Sequence, residues 1–202
     1  MEKAQEIRLI ELAASGDRAA SASLIQAHQQ SVYAYLLRMC GNPDVAEDVV
    51  QDAFVRVLLN LHRFDPRFRF STWLFTIAKR LLMNRMQKMK PLYDTDVVGG
   101  RAGSGAEPWE EPSASETRSR DSDAIGRALM ELNEDQREIV VLFHQQEWPI
   151  ARIAGFKGMP EGTVKSHLHR GRRKMRDYFE AHERLGLAAR FAPASAGEGA
   201  VG

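Results

Sequence analysis

Apolar residues recur along this chain at intervals of three and four, the spacing of one face of an α-helix. In "DRAASASLIQAHQQSVYAYLLRMC", Leu24, Val32, Tyr35, Leu36 and Met39 keep that period, and Asp17 stands ahead of them as an N-cap. The stretch "GNPDVAEDVVQDAFVRVLLNL" restarts the pattern, with Asn42 as cap and Pro43 at the first helical position, where its missing N–H costs nothing. Its inward stripe is Val45, Val49, Ala53, Val57 and Leu61, flanked by Val50, Phe54 and Leu58. A third helix is predicted from Ser71 to about Lys88, burying Trp73, Leu74, Ile77, Ala78 and Leu81.

A second helical block begins near residue 124. "LNEDQREIVVLFHQQ" places Asn133 three residues before Gln136, a variant of the capping box. A short helix starts near Pro149, "KGMP" breaks it, and a longer helix runs from Glu161 to about Arg184. A short helix, a tight glycine-containing turn and a basic helix make the layout of a helix-turn-helix. Between the blocks, "VVGGRAGSGAEPWEEPSASETRSRDSD" is rich in Gly, Ser, Pro and acids and cannot bury enough apolar area to offset its ordering entropy. Trp109 is its one large apolar side chain and reads as an unanchored ring. The expected fold is therefore all-α, with two small helical domains at 1–90 and 124–185, a flexible acidic linker at 91–123 and a disordered tail at 186–202.

Composition narrows the function. The chain has 202 residues and a net charge of +1, but the charge is segregated: both helical blocks lean basic and the connector is acidic. No apolar run approaches the length of a membrane span, and "MEKAQEIRLIELAASGD" lacks the apolar centre of a signal peptide. A lone Cys40, read as a small buried side chain, fits a reducing cytoplasm. His167 and His169 sit two apart on a helix and diverge, there is no glycine-rich phosphate loop, and neither a metal, a cofactor nor an enzymatic activity is expected.

Three segments carry candidate chemistry. On the helix "EGTVKSHLHRGRRKMRDYF", Val164, Leu168, Gly171, Met175 and Phe179 form the packing face. The opposite face holds Gly162, Ser166, His169 and Arg173, with Lys165 and Arg170 on the flanks. Lys165, Arg170, Arg172, Arg173, Lys174 and Arg176 meet no acid before Asp177, where a merely solvated helix would interleave both signs. That is the arrangement of a DNA reader: Lys, Arg and Ser near the helix start reach base edges, and the distal cations meet phosphates. Thr163 is placed to cap the helix start and to touch a phosphate. On the Pro43 helix, Asp44, Glu47, Asp48, Gln51 and Asp52 gather opposite the apolar stripe, either as a solvated face or as a dock for a basic protein surface. The third segment, "RFDPRFRFSTWLF", interleaves arginines with aromatic rings, as a core segment that carries charge or as a surface for unpaired bases.

"AEDVVQDAFVRVLLNLHRFDP", "FSTWLFTIAK" and "LNEDQREIVVL…EGTVKSHLHRGRRKM" resemble, in that order and spacing, the group IV (extracytoplasmic-function) sigma factors of bacterial RNA polymerase. The resemblance implies a promoter-specificity factor whose partners are core RNA polymerase, through its clamp coiled coil and flap region, and promoter DNA, both double-stranded and melted. It assigns Asp48, Gln51, Asp52 and Phe54 to polymerase docking, although Phe54 also borders the apolar stripe. It assigns Arg67, Phe68, Arg69, Trp73, Lys79 and Arg80 to the melted −10 element, with Phe64 and Trp73 forming the packed base of that loop. The −35 readers become Thr163, Lys165, Ser166, His169, Arg170 and Arg173. Members of the family commonly pair with an anti-sigma factor, which makes one a candidate partner here, and the acidic linker would lie in the enzyme's RNA-exit path.

Five positions depart from the family pattern. "IAKR" replaces the usual "IARN", so Arg80 occupies an asparagine position; Asn84 separately stands where an aspartate is common, and the two imply an altered −10 preference. "PIARIAGFKGMP" brings Gly155 into a short helix, at a cost of up to about 1 kcal/mol relative to Ala, and Lys157 into a position that is usually apolar. His167 stands at a common arginine. Two rival readings remain at this point: a conventional helix-turn-helix regulator, and an inactive sigma mimic that sequesters an anti-sigma factor.

Overall fold

The computed structural model describes residues 3–89 and 123–191, and the expected linker lies outside them apart from Asp123. Among the described residues the chain is all-helical. The first unit contains α1 (Lys3–Ala14), α2 (Arg18–Cys40), α3 (Pro43–Leu59), a 3-10 turn (Leu61–Arg63) and α4 (Phe70–Met89). The second contains α5 (123–130), α6 (Glu134–His144), α7 (Ile150–Lys157) and α8 (Glu161–Phe191). The helix α1 was not anticipated, because its apolar period is weak; Ile10 and Ala13 nevertheless seal it onto α2.

The caps act as the sequence suggests. Asp17 accepts from the Ala20 N–H at 3.0 Å, Asn42 from Val45 at 3.1 Å and Asn133 from Gln136 at 2.9 Å. Each satisfies a donor that would otherwise be stranded at a helix start. The α7–α8 turn closes at Gly158, whose φ of 64° lies in the left-handed region and suits a residue without Cβ. Thr163 is not the cap of α8: the helix opens at Glu161, and the Thr163 N–H already donates to the Pro160 carbonyl at 2.9 Å. The helix also continues to Phe191, past the expected end at Arg184, so residues 186–191 of the expected tail are helical; residues 192–202 lie outside the described ones.

The α3 stripe Val45, Val49, Ala53 and Val57 is buried as its periodicity requires, Phe54 joins it, and Leu61, expected on the same helix, is buried from the 3-10 turn instead. Buried residues of both units belong to one continuous apolar cluster. On α4 the buried set is Phe70, Leu74, Phe75, Ala78, Leu81 and Leu82, with Trp73 and Ile77 only partly covered. Phe75 is buried because a second unit lies over it: its ring meets Tyr35 at 5.0 Å on one side and Trp148 at 5.2 Å on the other. The two units are therefore packed together in this structure.

Candidate nucleic-acid and polymerase interfaces

The segment between the 3-10 turn and α4 is built on a ring cluster. Phe64 meets Phe70 edge-on at 5.6 Å and Trp73 at 5.5 Å, and Phe70 also meets His28 at 5.2 Å. Aromatic pairs at such spacings add to area burial, so Phe64, Phe70 and the half-buried Trp73 form a rigid platform. Above it the chain turns sharply. Asp65 Oδ1 accepts from the Arg67 backbone N–H at 2.9 Å, and the Arg67 guanidinium donates to Oδ1 at 3.0 Å and to Oδ2 at 2.8 and 2.6 Å. These hydrogen bonds hold the Asp65 carboxyl below its ordinary range. The turn leaves Phe68 64% exposed between the exposed Arg67 and Arg69. An aromatic of that size in water between two cations is free to stack on a base.

Farther along α4, Arg80 is exposed but Lys79 turns toward the second unit. Its ammonium lies 2.7 Å from Glu138 Oε2 on α6 and over the Phe156 ring. Glu138 is 0% exposed, the one acid among the core side chains of the described residues. Its Oε1 accepts from the Tyr35 hydroxyl at 2.8 Å, and its Oε2 also takes Lys157, which bonds Asp135 at 2.8 Å as well. Burial, and then the Glu138 charge, hold the Tyr35 phenol well above its usual value. Burial alone would lower Lys157; the two carboxylates outweigh it and leave its ammonium above the ordinary range. So Lys157 occupies its unusual position because Glu138 and Asp135 are there to pair it. The sequence signal for this centre is Glu138 standing directly before the apolar run "IVVLF".

Two arginines complete the contact. Arg152 of α7 lies 3.5 Å over the Trp148 ring and donates to Thr72 Oγ1 at 2.9 Å and Ser71 Oγ at 2.8 Å. Burial, followed by the nearby Arg69 charge, lowers its pKa to about 10. Arg137 donates to the carbonyls of Leu129, Met39, Met130 and Leu132 at 2.9 to 3.1 Å, joining the end of α5 to the end of α2. Ser31 and Gln146 are also hydrogen-bonded across the units.

On α8, Val164, Leu168 and Gly171 face inward. Lys165, Ser166, His169 and Arg170 line one shallow depression on the outer surface, with Arg173 exposed beyond it and Thr163 half-buried. Arg172, although exposed, is engaged within its own unit: it donates to His144 Nε2 at 2.9 Å and lies over Phe143. Burial and then the Arg172 charge lower the pKa of His144, which keeps its ring an acceptor.

On α3, Asp44, Glu47, Gln51 and Asp52 are exposed. Asp48 is paired with Arg85 of α4. Phe54, at 6% exposure, belongs to the core and offers no face to a partner. In its place the acidic face runs on into Val55 and Leu59, 57% and 71% exposed, which helical spacing from Asp48 and Asp52 would have indicated. Gln29, Gln30 and Tyr33 of α2 join Glu47, Val50 and Gln51 around a second shallow depression.

The comparisons agree with this division. Residues 24–90 match Sigma-70 region 2, and residues 122–175 match Sigma-70, region 4. The ECF RNA polymerase sigma factor SigW of Bacillus subtilis is 33% identical over 171 residues, covering 80% of this chain and 89% of that one. SigL of Mycobacterium tuberculosis is 31% identical over 167 residues, covering 80% of this chain and 92% of its own. Among solved structures, CnrH in complex with the cytosolic domain of CnrY shares the fold with a TM-score of 0.63 at 23% identity, covering 86% of this chain and 96% of that one. The sigma factor RpoE with the anti-sigma factor NepR from Bartonella quintana does so with a TM-score of 0.60 at 22% identity, over 79% of this chain and 96% of that one. With both regions matched in order on one chain and curated relatives aligned over four fifths of it, this protein belongs to the extracytoplasmic-function sigma factors of the sigma-70 family.

Proposed function

We propose that the chain confers promoter choice on core RNA polymerase through three surfaces on two domains, residues 1–90 and 124–185, joined by the linker 91–123 and followed by the tail 186–202. The first surface docks on the polymerase through Asp48, Gln51 and Asp52, extended by Val55 and Leu59. The second receives the melted −10 strand on Phe68, Arg67 and Arg69 above the Trp73 platform, with Lys79 and Arg80 toward phosphate. The third presents Thr163, Lys165, Ser166, His169, Arg170 and Arg173 to the −35 duplex. No covalent chemistry is involved; the protein acts by binding, in the cytoplasm where the polymerase is. Among the described residues no helix is long and apolar enough to cross a membrane.

One observation carries the reading: a region 2 and a region 4 stand in order on a single chain, and the exposed cationic face of α8 lies on the second of them. An anti-sigma factor as a further partner is supported by the complex in which RpoE was solved. The test is reconstitution. Core enzyme supplemented with this protein should start transcripts at defined positions on a subset of genomic promoters. The double variant Asp48→Arg/Asp52→Arg should lose capture of core at least about tenfold while keeping duplex binding, because like charges at a basic partner surface cost about 1.4 kcal/mol or more. A helix-turn-helix regulator would instead bind duplex and ignore core, and no defined start on any template with competent core would reject the proposal.

A further inference from the structure

We propose that the groove between α5, α6 and α8 is a docking site for this chain's own connector, which seats the Trp109 ring there through residues 107–112. The groove holds about 410 Å³, within the usual range for a site that encloses a bound group. Its walls are apolar: Ile125 and Leu129 from α5, Val140 and Val141 from α6, and Met175 from α8. Ile125 is 42% exposed among the described residues, so the groove presents apolar surface to an occupant. Arg38 of α2 and Arg172 of α8 stand on the rim. Arg172 is positioned by neutral groups, the His144 ring and the Phe143 face, and these contacts do not cancel its charge.

Chain continuity, composition and charge single out the connector as the occupant. The connector joins α5 at Asp123, two positions before Ile125, and Trp109 lies fourteen positions before Asp123. A segment of that length reaches up to about 45–50 Å, ample for the ring to turn back onto the helix it precedes. Tethering supplies an effective concentration on the order of 1 mM, so even a weak site fills. From Val97 to Ser122, Trp109 is the one aromatic side chain, and an apolar groove is where such a ring gains most. Glu107, Glu110 and Glu111 flank it, opposite in sign to Arg38 and Arg172, and an indole beside a guanidinium gains a cation–π contact. Pro108 and Pro112 bracket the segment and reduce the conformational freedom that docking must remove. Neither polymerase nor DNA enters this contact, so it stands or falls separately from the initiation function.

The experiment uses the full chain labelled with 5-fluorotryptophan, the Trp109 fluorine signal being assigned with Trp109→Phe. That signal should lie away from the signal of a labelled free peptide spanning residues 104–113, and should resist broadening by a soluble nitroxide. Ile125→Asp and Arg172→Glu, both at exposed positions, should return it to the peptide value, while an unmoved signal from the buried Trp148 reports an intact fold. In anisotropy, a fluorescein-labelled 104–113 peptide should bind Trp109→Ala at least about tenfold tighter than wild type, whose own ring competes for the groove. The same peptide carrying Glu110→Lys and Glu111→Lys should bind at least about tenfold more weakly, and added salt should weaken the unmodified one. A wild-type Trp109 signal equal to that of the free peptide would overturn the docking. So would self-association in sedimentation that Ile125→Asp abolishes and Trp109→Ala leaves unchanged, which would assign the groove to a second copy of the chain.

Discussion

Two glycines in the second unit allow one chemical change to be made in opposite surroundings. A Cβ on Gly171 would lie 2.8 Å from Val140 Cγ2 and 3.7 Å from both Cβ and the carbonyl oxygen of Gln136. Carbon atoms prefer about 3.5–4.0 Å, so the shortfall is most of an ångström. Val140 is buried on α6 and β-branched, with essentially one helical rotamer, so it cannot swing aside cheaply. The alternative is that α8 backs away and opens a gap along its packing face. Overpacking of this kind costs about 1–3 kcal/mol, offset by the gain of about 0.8–1.0 kcal/mol from replacing Gly by Ala within a helix. Gly171→Ala is thus expected to destabilise by up to about 2 kcal/mol, the difference between those figures. A Cβ on Gly155 meets nothing within 4 Å, so Gly155→Ala should keep the propensity gain alone and stabilise by about 0.8–1.0 kcal/mol. The propensity contribution is common to both, and the difference between the variants isolates the steric cost. Urea unfolding followed through Trp148, which is buried against Phe75, provides the measurement. If both variants shift stability by the same amount, to within about 0.5 kcal/mol, the close approach of α8 to α6 does not govern the position of the reading helix.

Other consequences can be checked on the same footing. Tyr35→Phe removes the donor to the fully buried Glu138 Oε1 and should cost about 1–3 kcal/mol in urea unfolding, the penalty of leaving a buried acceptor unmet. Among the described residues Glu147 is the non-glycine residue with positive φ, 53°, and Glu147→Gly should stabilise by about 1 kcal/mol in thermal unfolding because the left-handed strain is released. The Lys157 hydrogen bond lowers the Asp135 pKa despite some desolvation, so the stability it contributes is present above about pH 4, its unfolded value, and is lost as pH falls through the lower folded one. Lys157 is shifted upward, so its contribution is present below about pH 10.4 and is lost as pH rises through the folded value. Unfolding of Asp135→Asn across acid pH should therefore differ from wild type by a constant amount near neutrality and converge with it in acid. Arg173→Ala should weaken duplex binding uniformly and reduce the salt slope by about one if that side chain meets a phosphate.

The helices and their caps were legible because the signals are local: a capping carboxylate or amide, a proline at the first turn and a repeating apolar face act within a few residues of one another. What lay beyond local reading was which face meets which. Phe75 and Leu82 give α4 a second apolar stripe beside the anticipated one, and an extra stripe says that another partner exists without saying where it sits. The family resemblance assigned Lys79 to the −10 element, and Arg172 looked like a phosphate ligand; their partners Glu138 and His144 come from sequence positions far away and appear only when the helices are assembled. Phe54 shows the reverse case. It stands beside the stripe on the helical wheel and is buried with it, while Val55 and Leu59 remain in water.

The composition of the contact between units bears on what it is for. An interface meant to stay closed would gain by being apolar, since replacing a buried ion pair with packed hydrophobic side chains is commonly neutral or stabilising. Here a buried carboxylate gathers a phenol and two ammonium groups, and Arg152 and Arg137 bridge to hydroxyls and carbonyls. Each of those groups is well solvated by water once the units part, so separation exchanges protein partners for hydration instead of exposing a large apolar face. The apolar part of the contact includes Phe75 against Trp148. Desolvated charge makes the closed arrangement specific in geometry while keeping its net stabilisation modest.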